Sequence, residues 1–246
     1  MESSKPRALA AFAAAEGRAG VLVDFDGSLS PIVARPELAR IREGARDALA
    51  RLVGRYAVVA VVSGRTRTEL ETLIGVPGVR LAALYGMDDD TTLPDGLEDR
   101  VRAIAAAIPG IRIEHKGGSI AAHFRGASDP EAAEAALAAG LAPLAAEAGM
   151  DLIGGKKVLE LVPAGRPLKD GAVERIVDDA GLGAVLYAGD DQADLRAFAV
   201  LDRRAAAGLV TVTVAVHGPE TPSALRTAAD VVVDGPAGLV DLLRRL

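Results

Sequence analysis

Two aspartates separated by one residue follow an apolar run near the start of the chain, in the sequence Asp-Phe-Asp-Gly at residues 24–27. On extended backbone Asp24 and Asp26 lie on the same side, so their carboxylates repel unless a cation binds them or one is protonated. A hard cation such as Mg²⁺ prefers oxygen ligands and keeps several waters, so few protein carboxylates are needed. The pair is therefore a candidate magnesium site, although a strand end with a solvated aspartate has the same pattern.

A second acidic cluster, Gly-Asp-Asp-Gln-Ala-Asp, occupies residues 189–194 after another apolar run. Three carboxylates so close to a buried strand are unfavourable without a cation. We expect Asp190 to ligate the metal, and Asp191 or Asp194 to hold that ligand in position without contacting the metal. A capped loop is the alternative explanation for this cluster alone.

A serine and a lysine stand at comparable places in the chain. Ser63 precedes a predicted helix at residues 65–74, where a hydroxyl and free backbone N–H groups suit an anionic oxygen. The simpler role for Ser63 is the N-cap of that helix. Lys169 lies just ahead of another predicted helix and could neutralise a phosphate or keep a nucleophilic carboxylate ionised, but most lone lysines are surface residues.

Short apolar, β-branched runs are expected to position these four motifs. Consecutive apolar positions are typical of parallel strands buried on both faces, and ligands gather where such strands end. Their alternation with helices predicts an α/β fold with a Rossmann-like doubly wound parallel sheet. The predicted strands are residues 21–25, 57–62, 79–84, 184–188, 210–216 and 230–233. The predicted helices are residues 37–53, 65–74, 170–180, 192–201 and 236–245.

The middle of the chain has a different pattern, in which short strands alternate around glycine turns. This pattern indicates an α+β domain inserted into the parallel-sheet core. Its predicted elements are strands at 111–116 and 119–125, an Ala-rich helix at 129–148 and strands at 151–154 and 157–162. We call this inserted domain the cap and predict that it comprises residues 87–163. The core is then residues 1–86 and 164–246.

The composition excludes several functional classes. Half of the residues are apolar and a quarter are charged, as in ordinary globular proteins. A net charge of −6 without a Lys/Arg block argues against a nucleic-acid partner. No run approaches the roughly 20 apolar residues needed to cross a bilayer, and the first 20 residues predict an amphipathic helix rather than a signal peptide. The absence of cysteine excludes thiolate chemistry and fits a cytoplasmic location. Nothing indicates an obligate protein partner.

Taken together, the motifs resemble those of the haloacid-dehalogenase superfamily, and within it the trehalose-6-phosphate phosphatases. Residues 24–31 resemble the first motif, residues 63–65 the second, Lys169 the third and residues 189–194 the fourth. Two stretches of the insert, residues 114–124 and 156–163, resemble cap signatures of the same family.

The resemblance implies a Mg²⁺-dependent phosphatase of trehalose 6-phosphate that works through an aspartyl-phosphate. Asp24 would be the nucleophile and Asp26 the acid/base, while Ser63 and Lys169 would balance the phosphoryl charge. Asp24, Asp190 and the backbone carbonyl of Asp26 would hold the metal. The cap would close over the core and recognise the sugar. The residues implied in substrate binding are Gly64, Arg65, Glu114, Lys116, Ser119, His123 and Glu160.

The sequence departs from the family pattern at the edge of the expected site. Ser28 replaces a commoner threonine, residues 84–87 replace a His-Gly pair, and residues 192–195 lack the usual Thr-Asp-Glu. These departures leave open a phosphatase of another sugar phosphate, of the sucrose-phosphate or glucosylglycerate type. Two hypotheses come from other functional classes. The chain could be a phospho-receiver module, or a protein that binds a sugar phosphate without catalysis.

Overall fold

The computed structural model describes residues 5–33, 35–86 and 92–246. The chain divides into two compact units, one formed by Met1–Met87 with Pro167–Leu246 and the other by Asp88–Arg166. In chain order the strands are β1 (Ala19–Val23), β2 (Val58–Val62), β3 (Arg80–Ala82), β4 (Arg112–His115), β5 (Ile120–His123), β6 (Met150–Gly155), β7 (Val158–Pro163), β8 (Ala184–Gly189), β9 (Val210–His217) and β10 (Val231–Asp234).

The helices cover the sheets of both units. In chain order they are α1 (Lys5–Ala13), α2 (Ala45–Val53), α3 (Arg67–Ile74), α4 (Leu97–Ala106), α5 (Pro130–Glu147), α6 (Lys169–Asp179), α7 (Gln192–Ala206), α8 (Ser223–Ala228) and α9 (Gly235–Arg245). Within the described ranges, no helix is both long and apolar enough to cross a membrane.

The first unit contains a parallel sheet in the order β10-β9-β8-β1-β2-β3 across its described residues. Its strands are apolar on consecutive positions because helices cover both faces. Val21 and Val23 pack in the core with α1, α2, α3 and α9, while Leu22 packs in the opposite core with α6, α7 and α8. The doubly wound parallel sheet expected from the sequence is confirmed.

The register of the central strands brings the motifs to one edge of this sheet. Val23 at the end of β1 is level with Val61 on β2 and with Ala188 on β8. Asp24, Ser63 and Asp190 come one or two residues after these positions. All strands of this sheet run in the same direction, so the loops that carry the motifs leave from the same side.

The second unit has an antiparallel sheet in the order β4-β5-β7-β6. One sheet face, which includes Ile120 and Leu161, packs against apolar residues of α4 and α5 such as Val101 and Leu141. The cross-strand register places Glu114 opposite Ala121, and Ala121 opposite Glu160, on the other face. An inserted α+β domain, as the sequence predicts, is confirmed.

Two predicted elements of the first unit differ from those in the structure. The predicted helix at 37–53 is a short 3₁₀ turn at Pro36–Leu38 followed by α2, which begins only after Gly44 at φ +77°. A left-handed residue cannot continue a helix, so α2 starts at the residue after that glycine. The predicted strand at 79–84 ends at Ala82, because Leu84 and Tyr85 adopt positive φ angles.

Candidate active site

Three motif residues of the first unit are buried where the central strands end. Asp24, Ser63 and Asp190 are each 4% exposed or less. The backbone N–H of Asp24 donates to the carbonyl of Ala188 at 2.8 Å, which extends the β1–β8 pairing by one residue. The carboxylate of Asp24 is therefore held at the sheet edge by the strand itself.

Lys169, the first residue of α6, supplies the positive charge for this edge. Its Nζ donates to Oδ1 of Asp24 at 2.9 Å, to Oδ1 of Asp194 at 2.8 Å and to Oδ1 of Asp191 at 3.4 Å. Burial lowers the pKa of Lys169, but the three surrounding carboxylates outweigh burial and hold that pKa well above its usual value. The ammonium is therefore charged in all physiological conditions.

Asp194 organises the fourth motif from a fully buried position. Its Oδ2 accepts the backbone N–H groups of Asp190 at 2.8 Å and Asp191 at 2.9 Å, and its Oδ1 accepts from Lys169. Burial raises the pKa of Asp194 to about 7, opposed by Lys169 and reinforced by Asp191 and Asp24. The four donors to its carboxylate oppose this rise in pKa, because hydrogen bonds from donors favour the ionised form.

The backbone at the end of β8 lies so close to Asp194 that position 189 has no room for a side chain. A Cβ on Gly189 would lie 2.1 Å from Cγ of Asp194, so only glycine fits there. Asp191 caps α7 in a reciprocal arrangement, in which the N–H of Asp194 donates to Oδ1 of Asp191 at 3.1 Å. The third acidic residue of the cluster thus positions the second, and the capped-loop interpretation of this motif is also correct.

Tyr187 is a member of this cluster that the sequence reasoning missed. It is fully buried in β8, and its hydroxyl donates to Oδ1 of Asp194 at 2.6 Å. Burial and then Asp194 raise the pKa of Tyr187 well above its usual value, so the phenol remains protonated and donates. The available signal was a lone hydroxyl in an otherwise apolar strand, three residues before Asp190.

The acidic residues at this edge suit a hard divalent cation. One carboxylate oxygen from each of Asp24, Asp190 and Asp194 lies within 4.8 Å of the others, and all three residues are buried. Oxygen-only donors of this kind match Mg²⁺. Because Asp194 is already engaged by two backbone N–H groups, Lys169 and Tyr187, Asp24 and Asp190 are the better ligands.

Asp26 points to a different partner from Asp24. Arg65 donates through Nε to Oδ2 of Asp26 and through Nη2 to Oδ1, both at 2.7 Å. The side chain of Asp26 is 36% exposed, whereas that of Arg65 is 8% exposed. The two carboxylates of the first motif therefore have separate environments. Asp24 contacts the ammonium of Lys169, whereas Asp26 contacts the guanidinium of Arg65.

Ser63 is not the N-cap of the helix that follows it. Thr66 caps α3 in a capping box with Glu69, while Oγ of Ser63 accepts the backbone N–H of Arg65 at 3.2 Å. Between them, Gly64 lies against Tyr85, whose hydroxyl would be 2.6 Å from a Cβ at that position. The turn at residues 63–65 is thus shaped by the hydrogen bond from Arg65 to Ser63 and by the close contact with Tyr85.

The candidate residues of the second unit pair with one another on the polar face of its sheet. Oε1 of Glu160 accepts from Oγ of Ser119 at 2.6 Å, and Oε2 lies 3.4 Å from Nζ of Lys116. Oε2 of Glu114 lies 2.6 Å from Nε2 of His123. These candidate sugar-binding residues are therefore neighbours on one face of the sheet.

Comparison with known proteins identifies the family. A family model described as trehalose-phosphatase matches residues 22–96 and 90–232, which is most of the chain. The chain belongs to the trehalose-phosphatase family. The resemblance stated from the sequence motifs is thereby confirmed.

Relatives in the trehalose-phosphatase family include two mycobacterial proteins. The trehalose-phosphate phosphatase of Mycobacterium marinum is 30% identical over 99% of this chain and 66% of its own length. That of Mycobacterium avium is 33% identical over 94% of this chain and 64% of its own length. The chain therefore spans slightly less than two thirds of the length of these curated relatives.

Solved structures share the fold of this trehalose-phosphatase family member. The C-terminal domain of a trehalose-6-phosphate phosphatase from C. albicans has a TM-score of 0.79 at 22% identity, covering 98% of this chain and 97% of that one. A sucrose-phosphatase from Synechocystis has a TM-score of 0.57 at 16% identity, covering 92% and 96%. These likenesses concern the architecture alone.

Proposed function

We propose that this chain hydrolyses trehalose 6-phosphate to trehalose and inorganic phosphate, as a step of trehalose biosynthesis. The observation that carries the proposal is the buried cluster in which Lys169 contacts Asp24 at 2.9 Å and Asp194 at 2.8 Å. Family membership supports the substrate, since the mycobacterial relatives are described as trehalose-phosphate phosphatases. The parallel-sheet unit would be catalytic and the second unit would recognise the sugar.

In the first step a carboxylate oxygen of Asp24 attacks phosphorus. The new P–O bond forms as the bond between phosphorus and the sugar oxygen breaks, and the electron pair of that bond stays on the sugar oxygen. Asp26, protonated at this stage, transfers its proton to that oxygen, so the sugar leaves as a neutral alcohol. The product is an aspartyl-phosphate on Asp24.

In the second step water hydrolyses the aspartyl-phosphate. Asp26, now ionised, takes a proton from the water as the water oxygen bonds to phosphorus. The P–O bond to Asp24 breaks, its electron pair returns to the carboxylate, and inorganic phosphate is released. Lys169 and Ser63 stabilise the negative charge on the phosphoryl oxygens in both steps.

Asp24, Asp190 and the backbone carbonyl of Asp26 would hold Mg²⁺. When bound, the ion neutralises part of the charge of the transferring phosphoryl group and lets Asp24 approach it. Lys169 contacts the carboxylate of Asp24, and Asp194 holds the backbone N–H of Asp190, so both ligand positions are supported by the buried cluster.

Recognition of the sugar is assigned to the polar face of the second unit. Glu114, Lys116 and Glu160 would contact sugar hydroxyls, with Ser119 and His123 holding the two carboxylates in place. Carboxylates bonded in this way keep a further lone pair for a hydroxyl donor. A site built to bond hydroxyls can reject an incorrect sugar by large factors.

The substrate is tested by phosphate release from trehalose 6-phosphate, a sucrose phosphate and a glucosylglycerate-type phosphate, each with and without Mg²⁺. We expect the highest kcat/KM for trehalose 6-phosphate and loss of turnover without the metal. A higher value for another sugar phosphate would reassign the substrate. Tight binding without turnover would indicate a non-catalytic protein.

The nucleophile is tested by Asp24→Asn. We expect turnover to be abolished with an unchanged circular dichroism spectrum, because the amide is isosteric but does not attack phosphorus. Appreciable residual hydrolysis would exclude Asp24 as the nucleophile. Durable phosphate labelling of wild-type Asp24 without turnover would instead favour a phospho-receiver.

A further inference from the structure

The guanidinium of Arg65 holds both carboxylate oxygens of Asp26. The two N···O distances are each 2.7 Å, from Nε to Oδ2 and from Nη2 to Oδ1. A planar guanidinium that binds a carboxylate through two parallel hydrogen bonds fixes the plane of the carboxylate as well as its position. A lysine ammonium, which is a point charge, does not impose that geometry.

Arg65 is itself held on several sides. Its guanidinium lies over the ring of Phe25, with Cζ 5.3 Å from the ring centroid, and Nη2 donates to the carbonyl of Pro36 at 3.1 Å. Nη1 donates to Oε1 of Glu69 at 3.3 Å. The other oxygen of Glu69 accepts the backbone N–H of Thr66 at 2.9 Å, which ties this carboxylate to the start of α3. Arg65 is thus positioned before any substrate binds.

The backbone around Asp26 is fixed by a tight turn. The N–H of Gly27, at φ +96°, donates to the carbonyl of Ser30 at 2.7 Å. The N–H groups of Leu29 and Ser30 both donate to the carbonyl of Phe25 at 2.9 Å. With its backbone fixed in this way, Asp26 can change its direction mainly through its side-chain torsions, and those torsions are what Arg65 restrains.

We propose that Arg65 is a positioning residue, which aims the Asp26 carboxyl group for proton transfer to and from the leaving sugar oxygen. The inference rests on the proposed function. It assigns Arg65 a role through Asp26 in place of the direct substrate contact implied by family resemblance. When Asp26 carries the proton on a lone pair that faces away from the guanidinium, each oxygen keeps a lone pair for its hydrogen bond and the two-point geometry is preserved.

Leaving-group chemistry separates this role from direct substrate binding. A sugar hydroxyl is a poor leaving group and needs a proton as the P–O bond breaks, whereas p-nitrophenolate leaves without one. Loss of a residue that acts through Asp26 should therefore impair the sugar phosphate selectively. Loss of a residue that binds the common phosphoryl group should impair both substrates equally.

The experiment measures kcat/KM for trehalose 6-phosphate and for p-nitrophenyl phosphate in wild type, Arg65→Ala and Arg65→Lys. For Arg65→Ala we expect a loss of about 10²-fold with the sugar phosphate and under about 5-fold with the aryl phosphate. Arg65→Lys should not restore the sugar-phosphate activity, since it keeps charge without the two-point geometry. Equal losses with both substrates, or a change in KM alone, would overturn the proposal.

Three further variants complete the test. Arg80→Ala, which breaks an exposed ion pair with Asp179, should leave kcat/KM unchanged for both substrates. In the double variant of Asp26→Ala with Arg65→Ala, the second change should cost under about 3-fold beyond the first, because the residues act as a unit. Glu69→Gln should show a smaller loss with the same substrate selectivity, and it carries the test if Arg65→Ala does not fold. Equal effects of Glu69→Gln on both substrates would count against the proposal.

Failure of the proposed function has a separate signature. Wild-type protein that releases phosphate from p-nitrophenyl phosphate but not from trehalose 6-phosphate would contradict the substrate assignment. Wild-type protein active on both, with unselective losses in the Arg65 variants, would contradict only the positioning role.

Discussion

At the scale of single residues, the site depends on one lysine surrounded by acidic groups. Lys169 is 3% exposed, and Asp24 and Asp194 are as deeply buried. Burying charge is costly unless opposite charges and hydrogen bonds compensate it, and here each carboxylate is within hydrogen-bonding distance of the ammonium. The surplus of negative charge that remains is what a divalent cation would offset.

Glu114 in the second unit should make protein stability depend on acidity. Although burial raises the pKa of this carboxyl, the hydrogen bond with His123, followed by the charges of Lys116 and Arg112, lowers it from 4.5 to about 2. The unfolded chain therefore binds more protons between these values. Stability supplied by Glu114 is complete above about pH 4.5 and is lost as the pH falls towards 2, by roughly 2–3 kcal/mol.

The measurement is the free energy of unfolding between pH 2 and 6, for wild type and Glu114→Gln. We expect the wild-type value to rise with pH in this window and the variant to show a shallower rise. Glu98→Gln is the control, because Glu98 pairs with Arg102 on the exposed side of α4. If the two variants have the same pH dependence, the lowered pKa of Glu114 is not a source of stability.

At the scale of elements, strand register brings distant motifs together. β1 pairs with both β2 and β8 in parallel, so the loops after three strands leave from neighbouring points on the sheet. The first turns of α6 and α7 then contribute Lys169 and Asp194 to the same place. The precision of the cluster comes from rigid elements and short loops.

The turn from β8 into α7 predicts the effect of Gly189→Ala. The added Cβ would overlap Asp194, so the carboxylate must move away from the two backbone N–H groups, Lys169 and Tyr187 that it binds. We expect the free energy of unfolding to fall by roughly 2–4 kcal/mol and activity to fall with it. Urea denaturation measures the loss. Gly17→Ala is the matched control, since no other group lies within 4 Å of its Cβ position; similar losses in both variants would contradict the steric argument.

At the scale of the whole molecule, each of the two units has its own apolar core. The clusters containing Val23 and Leu22 belong to the parallel sheet, and the cluster containing Ile120 belongs to the antiparallel one. The catalytic and sugar-binding roles proposed for the two units would then belong to separate apolar cores. Substitutions on the polar face of the second unit should change substrate preference before they change the chemical step.

Metal binding should be visible in thermal stability, independently of activity. A ligand that binds only the native state at about 100 times its Kd adds about 2.7 kcal/mol, which raises Tm by about 5 °C or more in a protein of this size. We expect Mg²⁺ to produce such a shift for wild type and chelation to remove it. Asp190→Asn should abolish the shift, and Asp179→Asn, an exposed change, should retain it. A full shift in Asp190→Asn would show that the ion binds elsewhere.

Much of the site follows from local sequence because its members stand at places that periodicity can locate. Continuous apolar runs identify buried parallel strands, and the polar residues after them must meet at one edge. Asp24, Ser63 and Asp190 were located in this way, and Lys169 from its place before a helix. The helix predicted at 37–53 was too long, since the left-handed backbone of Gly44 is not visible in a hydrophobic pattern.

The architecture, the four motifs and the resemblance to the family are apparent from the order and spacing of residues along the chain. The folded structure alone shows which side chains pair. Arg65 reaches Asp26 across 39 positions, and Lys169 reaches Asp24 across 145. It also decided that Tyr187 supports Asp194. Such contacts depend on the register and depth at which elements pack, and no local period encodes them.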